Sequence, residues 1–416
     1  MAEVEISAMT FGPYGVGRID GKTVMVPNAA PRDQLEVELS RAHRDYAIGR
    51  IARILRGGPD RREPPCPFLP RCGGCDWQQL NYPAQVRVKA ELVAAEFRHA
   101  LKLELDPGDL VEPAPAEFGY RARIRLKTGA NGALGFYELG SNSIVEIDRC
   151  MVAAAELKLP SALAKALGRR CREIEVVAGR GRQILIAHLG KPPAAPEIAY
   201  ARRVLETGQG VAGIVLRAGK SREVIGDAKV GLEVEPGIVI EADADLFSQV
   251  NRAQNLKLVA TAMEMAAPRE GMNVLDLFCG AGNLSIPAAR RGARVTGVDA
   301  DALAVAAAAQ NAARMQLRET QFVAMKAAET ARFLERAHYR PDVIIMDPPR
   351  TGAYDLMEPL IRLQPSSVIY VSCDPSTLVR DLHVAIAGGY KVRRVRAFDF
   401  FPNTHHVEVV ANLLLT

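Results

Sequence analysis

Apolar and polar positions alternate differently in three consecutive parts of the chain. Up to about residue 55, short alternating runs such as VEISAM, KTVMVP and DQLEVEL are separated by turns rich in glycine and proline. Five such runs in this stretch predict a small OB-like all-β barrel over residues 1–55. Barrels of this type often bind RNA, although a purely structural or protein-binding barrel stays open at this point.

Residues 56–245 mix strand-like and helix-like patterns, which indicates an α+β domain. The runs YRARIRLKTG, GALGFYEL and SIVEID predict an antiparallel meander, and two later pairs of apolar runs predict hairpins. A helix is predicted over 153–170. Basic side chains alternate along the first strand, at Arg121, Arg123, Arg125 and Lys127. This row suits a phosphate backbone, and a solvated sheet face is an equally good interpretation.

From residue 246 to residue 416, buried apolar strands alternate with helices, which predicts a doubly wound parallel sheet. In NVLDLFCGAGN, a strand leads into a turn where Gly280 and Gly282 let the backbone approach a ligand closely. Asp299 ends the following strand, where an acidic side chain suits a ribose diol. The turn matches neither the dinucleotide fingerprint nor a P-loop.

Cys373 stands directly after the buried strand of VIYVSCDPSTLVRD and before a helix that begins near Pro375. Catalytic groups of open α/β sheets collect at the carboxyl ends of the strands. The nearby helix N-terminus and Arg380 would lower the pKa of this thiol and make it a nucleophile. The alternative is a small buried apolar residue, as most free cysteines are.

The amino-acid composition limits the classes of protein to which the chain can belong. The chain has 416 residues, 48% of them hydrophobic and 24% charged, with a net charge of +5, as in ordinary globular proteins. No apolar run is long enough to span a bilayer, and the first residues lack a signal-peptide core. We therefore expect a cytoplasmic protein with no membrane partner. The mild positive charge permits an RNA partner.

The cysteines predict a metal centre. The chain has seven cysteines. An odd number of cysteines, together with the expected reducing compartment, argues against a disulfide framework. Cys66, Cys72 and Cys75 are spaced C-x5-C-x2-C, without the second knuckle or histidine pair typical of zinc. Three clustered cysteines with a remote fourth resemble 4Fe–4S ligation. Cys150, which follows a strand, is a better fourth ligand than Cys171, and a zinc site completed by Cys150 stays open.

Six motifs follow one another along the whole chain: C-x5-CGGC with a remote cysteine, FSQVN, DLFCGAGN, DPPR, SCDPSTLVRD and FPNTHHVE. In this combination the sequence resembles the S-adenosylmethionine-dependent RNA 5-methyluridine methyltransferases, the TrmA/RumA/RlmD group. It most resembles the iron–sulfur branch that acts on 23S ribosomal RNA. The resemblance implies a TRAM barrel over 1–55, an iron–sulfur domain over 56–245 and a class I, Rossmann-like methyltransferase domain over 246–416.

The resemblance also implies roles for individual residues. The positions that contact the methyl donor are matched by Gln249, Phe278, Gly280, Asn283, Asp299 and Asp347. The cluster ligands are matched by Cys66, Cys72, Cys75 and Cys150. Cys373 matches the nucleophile and Glu408 the general base. Lys326 is a departure, because relatives often carry Asn or Asp there, near the adenine.

The implied reaction uses S-adenosylmethionine and methylates carbon 5 of a flipped uracil in single-stranded or loop RNA, with a 4Fe–4S cluster in a monomeric enzyme. A thiolate adds to carbon 6, carbon 5 then takes the methyl group, and a base removes the carbon 5 proton. Alternatives are a transfer RNA substrate and an iron–sulfur RNA-binding scaffold with an inactive methyltransferase fold. An N-methyltransferase would place an aromatic residue after Pro-Pro, and a radical enzyme would show C-x3-C-x2-C.

Overall fold

The N-terminal strands close into a barrel. The computed structural model describes residues 1–129, 131–179, 181–207, 210–336 and 339–416. The barrel strands are β1 (Ala2–Met9), β2 (Tyr14–Ile19), β3 (Lys22–Pro27), β4 (Gln34–Ala42) and β5 (Tyr46–Arg56). They close in the order β1-β2-β3-β5-β4, which confirms the predicted barrel. Its inward positions carry mostly Val, Ile, Leu and Ala, as alternation in a half-buried strand requires.

The segment after the barrel belongs, by its packing, to the C-terminal core. Helix α1 (Tyr82–Leu101) begins at Asn81, whose side chain accepts a hydrogen bond from the Ala84 N–H. It buries Val93 and Phe97 in the core of the C-terminal sheet. A short strand, β6 (Val111–Glu112), joins the edge of that sheet. Residues 82–112 thus lie in the predicted central domain by sequence and extend the third domain in space.

A seven-stranded sheet forms the centre of the molecule. Its elements are β7 (Arg123–Thr128), β8 (Leu134–Tyr137), β9 (Ile144–Glu146), α2 (Ser161–Leu167), β10 (Cys171–Ala178), β11 (Gln183–Leu189), α3 (Ala195–Thr207), β12 (Val211–Ala218) and β13 (Ser221–Gly226). The predicted meander and hairpins are present, in the order β13-β12-β11-β10-β7-β8-β9. The helix predicted over 153–170 was wrong at its start, because Pro160 disfavours helical backbone before it.

The basic row on β7 is neutralised within the sheet. Arg125 Nη2 lies 2.7 Å from Glu175 Oε1, and Arg123 Nη1 lies 3.5 Å from Glu175 Oε2. Lys127 pairs with Glu173 on the same neighbouring strand. Cross-strand pairing of opposite charges therefore accounts for these three cations without a phosphate backbone.

A hairpin and a helix lead into the C-terminal sheet. The hairpin consists of β14 (Lys229–Glu235) and β15 (Ile238–Asp243), and its apolar residues pack against Ile286 and Ala312 of the C-terminal domain. Helix α4 (Arg252–Ala266) follows. The predicted cap is confirmed, since the Asn251 side chain accepts from the Gln254 N–H at 3.2 Å.

The C-terminal domain is a sheet with helices on both faces. Its elements are β16 (Asn273–Leu277), α5 (Ser285–Arg290), β17 (Arg294–Asp299), α6 (Ala302–Arg314), β18 (Thr320–Ala324), α7 (Ala327–Arg336), β19 (Val343–Met346), α8 (Tyr354–Ile361), β20 (Ser367–Ser372), α9 (Pro375–Ala387), β21 (Tyr390–Phe398) and β22 (Glu408–Leu415). The order is β18-β17-β16-β19-β20-β22-β21-β6. Strands β16 to β20 are parallel as predicted, and β22 runs antiparallel to β20 and β21.

This strand order has a functional consequence. The chain turns outward in opposite directions from β16 and β19, which creates a switch point between them. Ligands of open α/β sheets bind in the crevice beyond the carboxyl ends of such strands. Across the described ranges, no helix has the length and apolar character needed to cross a membrane.

Candidate active site at the carboxyl ends of the parallel strands

The turn after β16 is shaped for close approach of a ligand to the backbone. Phe278, Gly280 and Gly282 have φ angles of 61°, 55° and 100°. A bulky residue such as Phe278 rarely adopts a positive φ, and strain of this kind collects at functional sites. A Cβ atom on Gly282 would lie only 2.9 Å from Ile286 of α5. The turn therefore depends on glycine to pass between the strand and the helix.

Two acidic side chains brace this turn. Asp299, at the end of β17, accepts a hydrogen bond from the Gly280 N–H at 3.0 Å and another from the Asp301 N–H at 2.9 Å. Asp276 is fully buried beneath the turn and accepts from the Ser285 hydroxyl at 2.5 Å. Burial raises the pKa of Asp276 to about 7, and the charges of Asp347 and Asp299 add to the rise.

The remaining predicted donor residues meet at the same crevice. Gln249 Nε2 donates to Asp347 Oδ2 at 3.5 Å, which joins the FSQVN segment to the end of β19. Burial raises the pKa of Asp347 to about 7. The Asn283 amide exchanges hydrogen bonds of 2.9 and 3.0 Å with Asn255 of α4. Sequence reasoning missed Asn255. Lys326 lies exposed beyond the end of β18.

Cys373 stands where β20 passes into α9, as predicted. Asp374 caps the helix by accepting from the Ser376 and Thr377 N–H groups at 3.0 Å each. In the antiparallel pairing, Ser372 faces Val409 on β22. The register therefore brings Cys373 alongside Glu408, the first residue of β22.

The expected low pKa of this thiol was wrong. Burial and then the negative charge of Glu408 raise the pKa of Cys373 to about 12. Arg350 is the cation that opposes the rise. Arg380 points elsewhere, because it pairs with Asp381 at 2.7 Å and donates to the Thr351 carbonyl at 2.8 Å. The position of Cys373 at a helix N-terminus does not lower the thiol's pKa enough to offset burial beside a carboxylate.

Glu408 is a buried carboxyl on the nucleophile side of the crevice, with 6% of its surface exposed. Burial, and secondly the charge of Asp347, raise its pKa well above the ordinary range, while Arg350 acts in the opposite direction. Burial therefore favours the protonated form of this side chain in the free protein. Once ionised, a carboxylate with a raised pKa is a stronger base than an exposed one.

Arg350 is held in place by the loop that follows β19. The Arg380 and Asp381 side chains form its scaffold, since Asp381 is fully buried and Arg380 binds the Thr351 carbonyl. Gly352 has a φ of 73°, and a Cβ atom there would lie 2.5 Å from Asp381 Oδ2. These close contacts constrain the loop that carries Arg350, whose charge lowers the pKa values of both Cys373 and Glu408.

The loop before Glu408 is anchored by α1. Lys89 Nζ lies 2.6 Å from Asp399 Oδ1, both side chains are fully buried, and Lys89 also donates to the Phe401 carbonyl at 3.1 Å. The Asp399 carboxylate is therefore engaged by Lys89. No motif marks Lys89, so the sequence carries no signal for this contact.

The predicted cluster cysteines lie apart from this crevice and share a second cavity of about 250 Å³. Cys66, Cys72, Cys75 and Cys150 all line it, while Cys171 lies in the core of the central sheet. Burial raises the pKa values of Cys72 and Cys150, and raises that of Cys75 to about 12. Each thiolate would also raise the pKa values of its neighbours.

The lining of this cavity suits an anionic, thiolate-bound group. Arg121, Arg125 and Arg149 line it together with the thiols, and the buried Gln78 Nε2 has no hydrogen-bond partner among the described residues. Cations and an unpaired donor favour bound sulfur that carries negative charge. In the part of the chain that the structure describes, no group of three or more His, Cys, Asp or Glu side chains is arranged to hold a metal ion as it stands.

Comparisons with known proteins identify the class and the family. Residues 215–415 match the family described as tRNA (Uracil-5-)-methyltransferase. The crystal structure of Pyrococcus abyssi tRNA (uracil-54, C5)-methyltransferase, in complex with S-adenosyl-L-homocysteine, aligns with a TM-score of 0.77 over 99% of this chain and 100% of that one, at 24% identity. This likeness establishes the fold, that of a Rossmann-like methyltransferase.

Two relatives extend the match to nearly the whole chain. The 23S rRNA (uracil(1939)-C(5))-methyltransferase RlmD of Shewanella amazonensis is 33% identical over 95% of this chain and 92% of its own. An uncharacterized RNA methyltransferase of Thermosynechococcus vestitus is 32% identical over 99% of this chain and 97% of its own. The chain belongs to the family of S-adenosylmethionine-dependent RNA uracil-5 methyltransferases.

Proposed function

We propose that this protein transfers a methyl group from S-adenosylmethionine to carbon 5 of a uridine in 23S ribosomal RNA. One observation carries the proposal: Cys373 and Glu408 lie side by side on adjacent strands, at the edge of the crevice lined by the predicted donor residues. The names of the relatives support the substrate, since several are 23S rRNA (uracil(1939)-C(5))-methyltransferases.

The donor would bind across the switch point. Asp299 would hold the ribose, the glycine turn at Gly280 and Phe278 would approach the amino acid and base, and Asn283, braced by Asn255, would complete that wall. Gln249 and Asp347 would close the side that faces Cys373. When bound, S-adenosylmethionine supplies an electrophilic methyl group on its sulfonium.

Cys373 and Glu408 would carry the covalent steps. Cys373 and Glu408 would first release their protons to solvent. The Cys373 thiolate then adds to carbon 6 of the uracil, which makes carbon 5 nucleophilic toward the methyl group, and the bond between that methyl group and the donor sulfur breaks. Glu408 then accepts the carbon 5 proton, and the bond between sulfur and carbon 6 breaks as the ring double bond returns. Burial raises the pKa of the thiol in the free protein, so forming the thiolate costs free energy. The positive charge of Arg350 lowers the pKa values of both Cys373 and Glu408. Arg350 would therefore stabilise the thiolate and the enolate oxygen.

We also infer that Cys66, Cys72, Cys75 and Cys150 hold a 4Fe–4S cluster. The four shared thiols, the Arg121 and Arg149 guanidinium groups and the unpaired Gln78 donor support this inference. Cysteine thiols lose their protons when they bind a metal, so a bound metal centre would lower the raised pKa values of these cysteines. A zinc site is distinguished by metal content and by the absence of a visible chromophore.

RNA would be held by the parts of the chain before residue 246. We propose three functional regions: a TRAM barrel over 1–55, a cluster-bearing domain over 56–245 and a methyltransferase domain over 246–416. The working form would be a monomer in the cytoplasm, and the target would be a loop from which the uridine can leave its stack.

Transfer RNA is the second candidate substrate, because the matching family carries a tRNA description. The test is to incubate the purified protein and labelled S-adenosylmethionine with 23S rRNA and with tRNA, both taken from a strain lacking their 5-methyluridine. We expect label in one uridine of 23S rRNA, and loss of at least about 1,000-fold in rate for Cys373→Ala with donor binding retained. Label in tRNA alone would replace the substrate, and an active Cys373→Ala variant would refute the covalent mechanism.

A further inference from the structure

Residues 399–407, here called the base loop, lead from β21 into Glu408 and are held from beside the cysteine cavity. Asp76 directly follows Cys75, which lines that cavity. The Asp76 carboxylate accepts from the His405 N–H at 3.0 Å, and its second oxygen lies 2.5 Å from His405 Nδ1. One side chain therefore fixes both the backbone and the ring of His405.

Backbone contacts next to Asp76 reinforce this attachment. The N–H groups of Asp76 and Trp77 both donate to the Asn403 carbonyl, at 3.1 and 3.0 Å. Gln85 of α1 accepts from the Asn403 N–H at 2.7 Å. Because Asn403 has a positive φ of 69° and is fully buried, the base loop turns at this point against the N-terminal segment.

A chain of contacts runs from His405 to the reacting groups. The His405 and His406 rings are tilted against each other, with centroids 4.0 Å apart. His406 Nε2 lies 3.3 Å from Arg350 Nη2. Arg350 is the cation whose charge reaches both Cys373 and Glu408. Asp76 is thus three side-chain contacts away from Arg350, the cation that acts on the thiol of the proposed mechanism.

We propose that Asp76 is a positioning residue: it holds His405 and, through the His405–His406 pair, directs Arg350 toward Cys373. The inference rests on the proposed function, because it assigns Asp76 to the addition step of that reaction. It also means that the segment containing Cys75 and Asp76 supports the wall of the methyltransferase site that receives the uracil.

The test uses the full-length protein and compares Asp76→Ala with Asp60→Ala. Asp60 is a matched control, because its side chain is 13% exposed, as is that of Asp76, and it pairs with Arg87 away from the base loop. The substrate is a 23S rRNA fragment carrying 5-fluorouridine at the target position. Fluorine cannot be removed as a proton, so methyl transfer ends in a stable bond between Cys373 and carbon 6. The rate of adduct formation therefore reports addition and transfer.

We expect Asp76→Ala to slow adduct formation by about 10- to 100-fold at saturating RNA and donor, as a small misplacement near reacting atoms does. Apparent affinity for both substrates should stay within about twofold. Asp76→Asn should recover most of the rate, because its amide can accept from the His405 N–H and donate to Nδ1. An Asp76→Ala rate equal to that of Asp60→Ala would overturn the proposal.

Two further measurements keep the outcome clear. Hydrogen exchange of the free proteins should show faster exchange over 403–406 in Asp76→Ala and not in Asp60→Ala, and equal exchange would also overturn the proposal. If Asp76→Ala loses its metal or melts early, His405→Ala removes the ring contact with Asp76 and the contact with His406 from the other side. A His405→Ala variant with the wild-type adduct rate would then refute the inference. Failure of the wild-type protein to form any adduct would refute the proposed function instead, with exchange still deciding the role of Asp76.

Discussion

Around the glycine turn on the donor side of the crevice, the two acidic side chains are fixed by groups close to them in sequence. Asp276 receives the Ser285 hydroxyl nine residues later, and Asp299 receives the Gly280 N–H nineteen residues earlier. On the nucleophile side, the base loop is held across far longer separations, 310 residues for Lys89 and Asp399 and 329 for Asp76 and His405. The glycine turn is therefore built largely by neighbouring strands and helices of the C-terminal sheet, whereas the wall around the uracil requires the N-terminal third of the chain.

The largest effect is expected when Glu408, on the nucleophile side, is replaced. Glu408→Gln should leave donor binding intact, slow turnover by about 10²- to 10⁴-fold and accumulate a covalent protein–RNA adduct. The reason is that addition and methyl transfer precede the step in which the carboxylate accepts a proton. The measurement is a shifted band on a denaturing gel, with Glu358→Gln on the surface of α8 as the control. Rapid turnover without an adduct would remove Glu408 from the proton step.

An intermediate effect is expected on the donor side. Asp299→Ala should weaken S-adenosylmethionine binding by about 10- to 100-fold, equivalent to the roughly 1.5–3 kcal/mol of hydrogen bonds to a charged group. Calorimetric titration measures it directly. The rate of adduct formation at saturating donor should stay within about threefold, since Asp299 lies on the wall away from Cys373. A large fall in that saturated rate would mean that the two sides are not separable.

The smallest effect is a pH dependence that belongs to the nucleophile side. Burial raises the pKa of Glu408 in the folded protein, so the folded state binds this proton more tightly than the unfolded chain does. The free energy of unfolding contributed by this group is therefore present at low pH and is lost as the pH rises above the unfolded value of about 4.3.

Glu408→Gln has no such proton to lose. Its stability relative to the wild-type protein should rise as the pH increases above about 4.3, with a slope of at most about 1.4 kcal/mol per pH unit. Urea unfolding of the free proteins across this range measures the difference, and parallel curves for the two proteins would contradict the assignment.

The same contrast explains what could be read from the sequence. The strand before Cys373, the cap at Asn251 and the glycine turn are local patterns, and each was predicted correctly. Asn255 and Lys89 were missed because their partners are distant and their own surroundings are ordinary helices. The raised pKa of Cys373 was missed for a related reason, since it arises from burial against β22, a strand whose register no local pattern specifies.

The edge position of β6 has a consequence for how the protein is made. A ribosome releases α1 and β6 long before β21, the strand that β6 extends, and before α9, against which α1 packs. Until the last residues emerge, the apolar face of α1 around Val93 and Phe97 has no permanent cover. The nascent chain must therefore carry this exposed face through most of its synthesis, which makes late truncations of the C-terminus prone to aggregation.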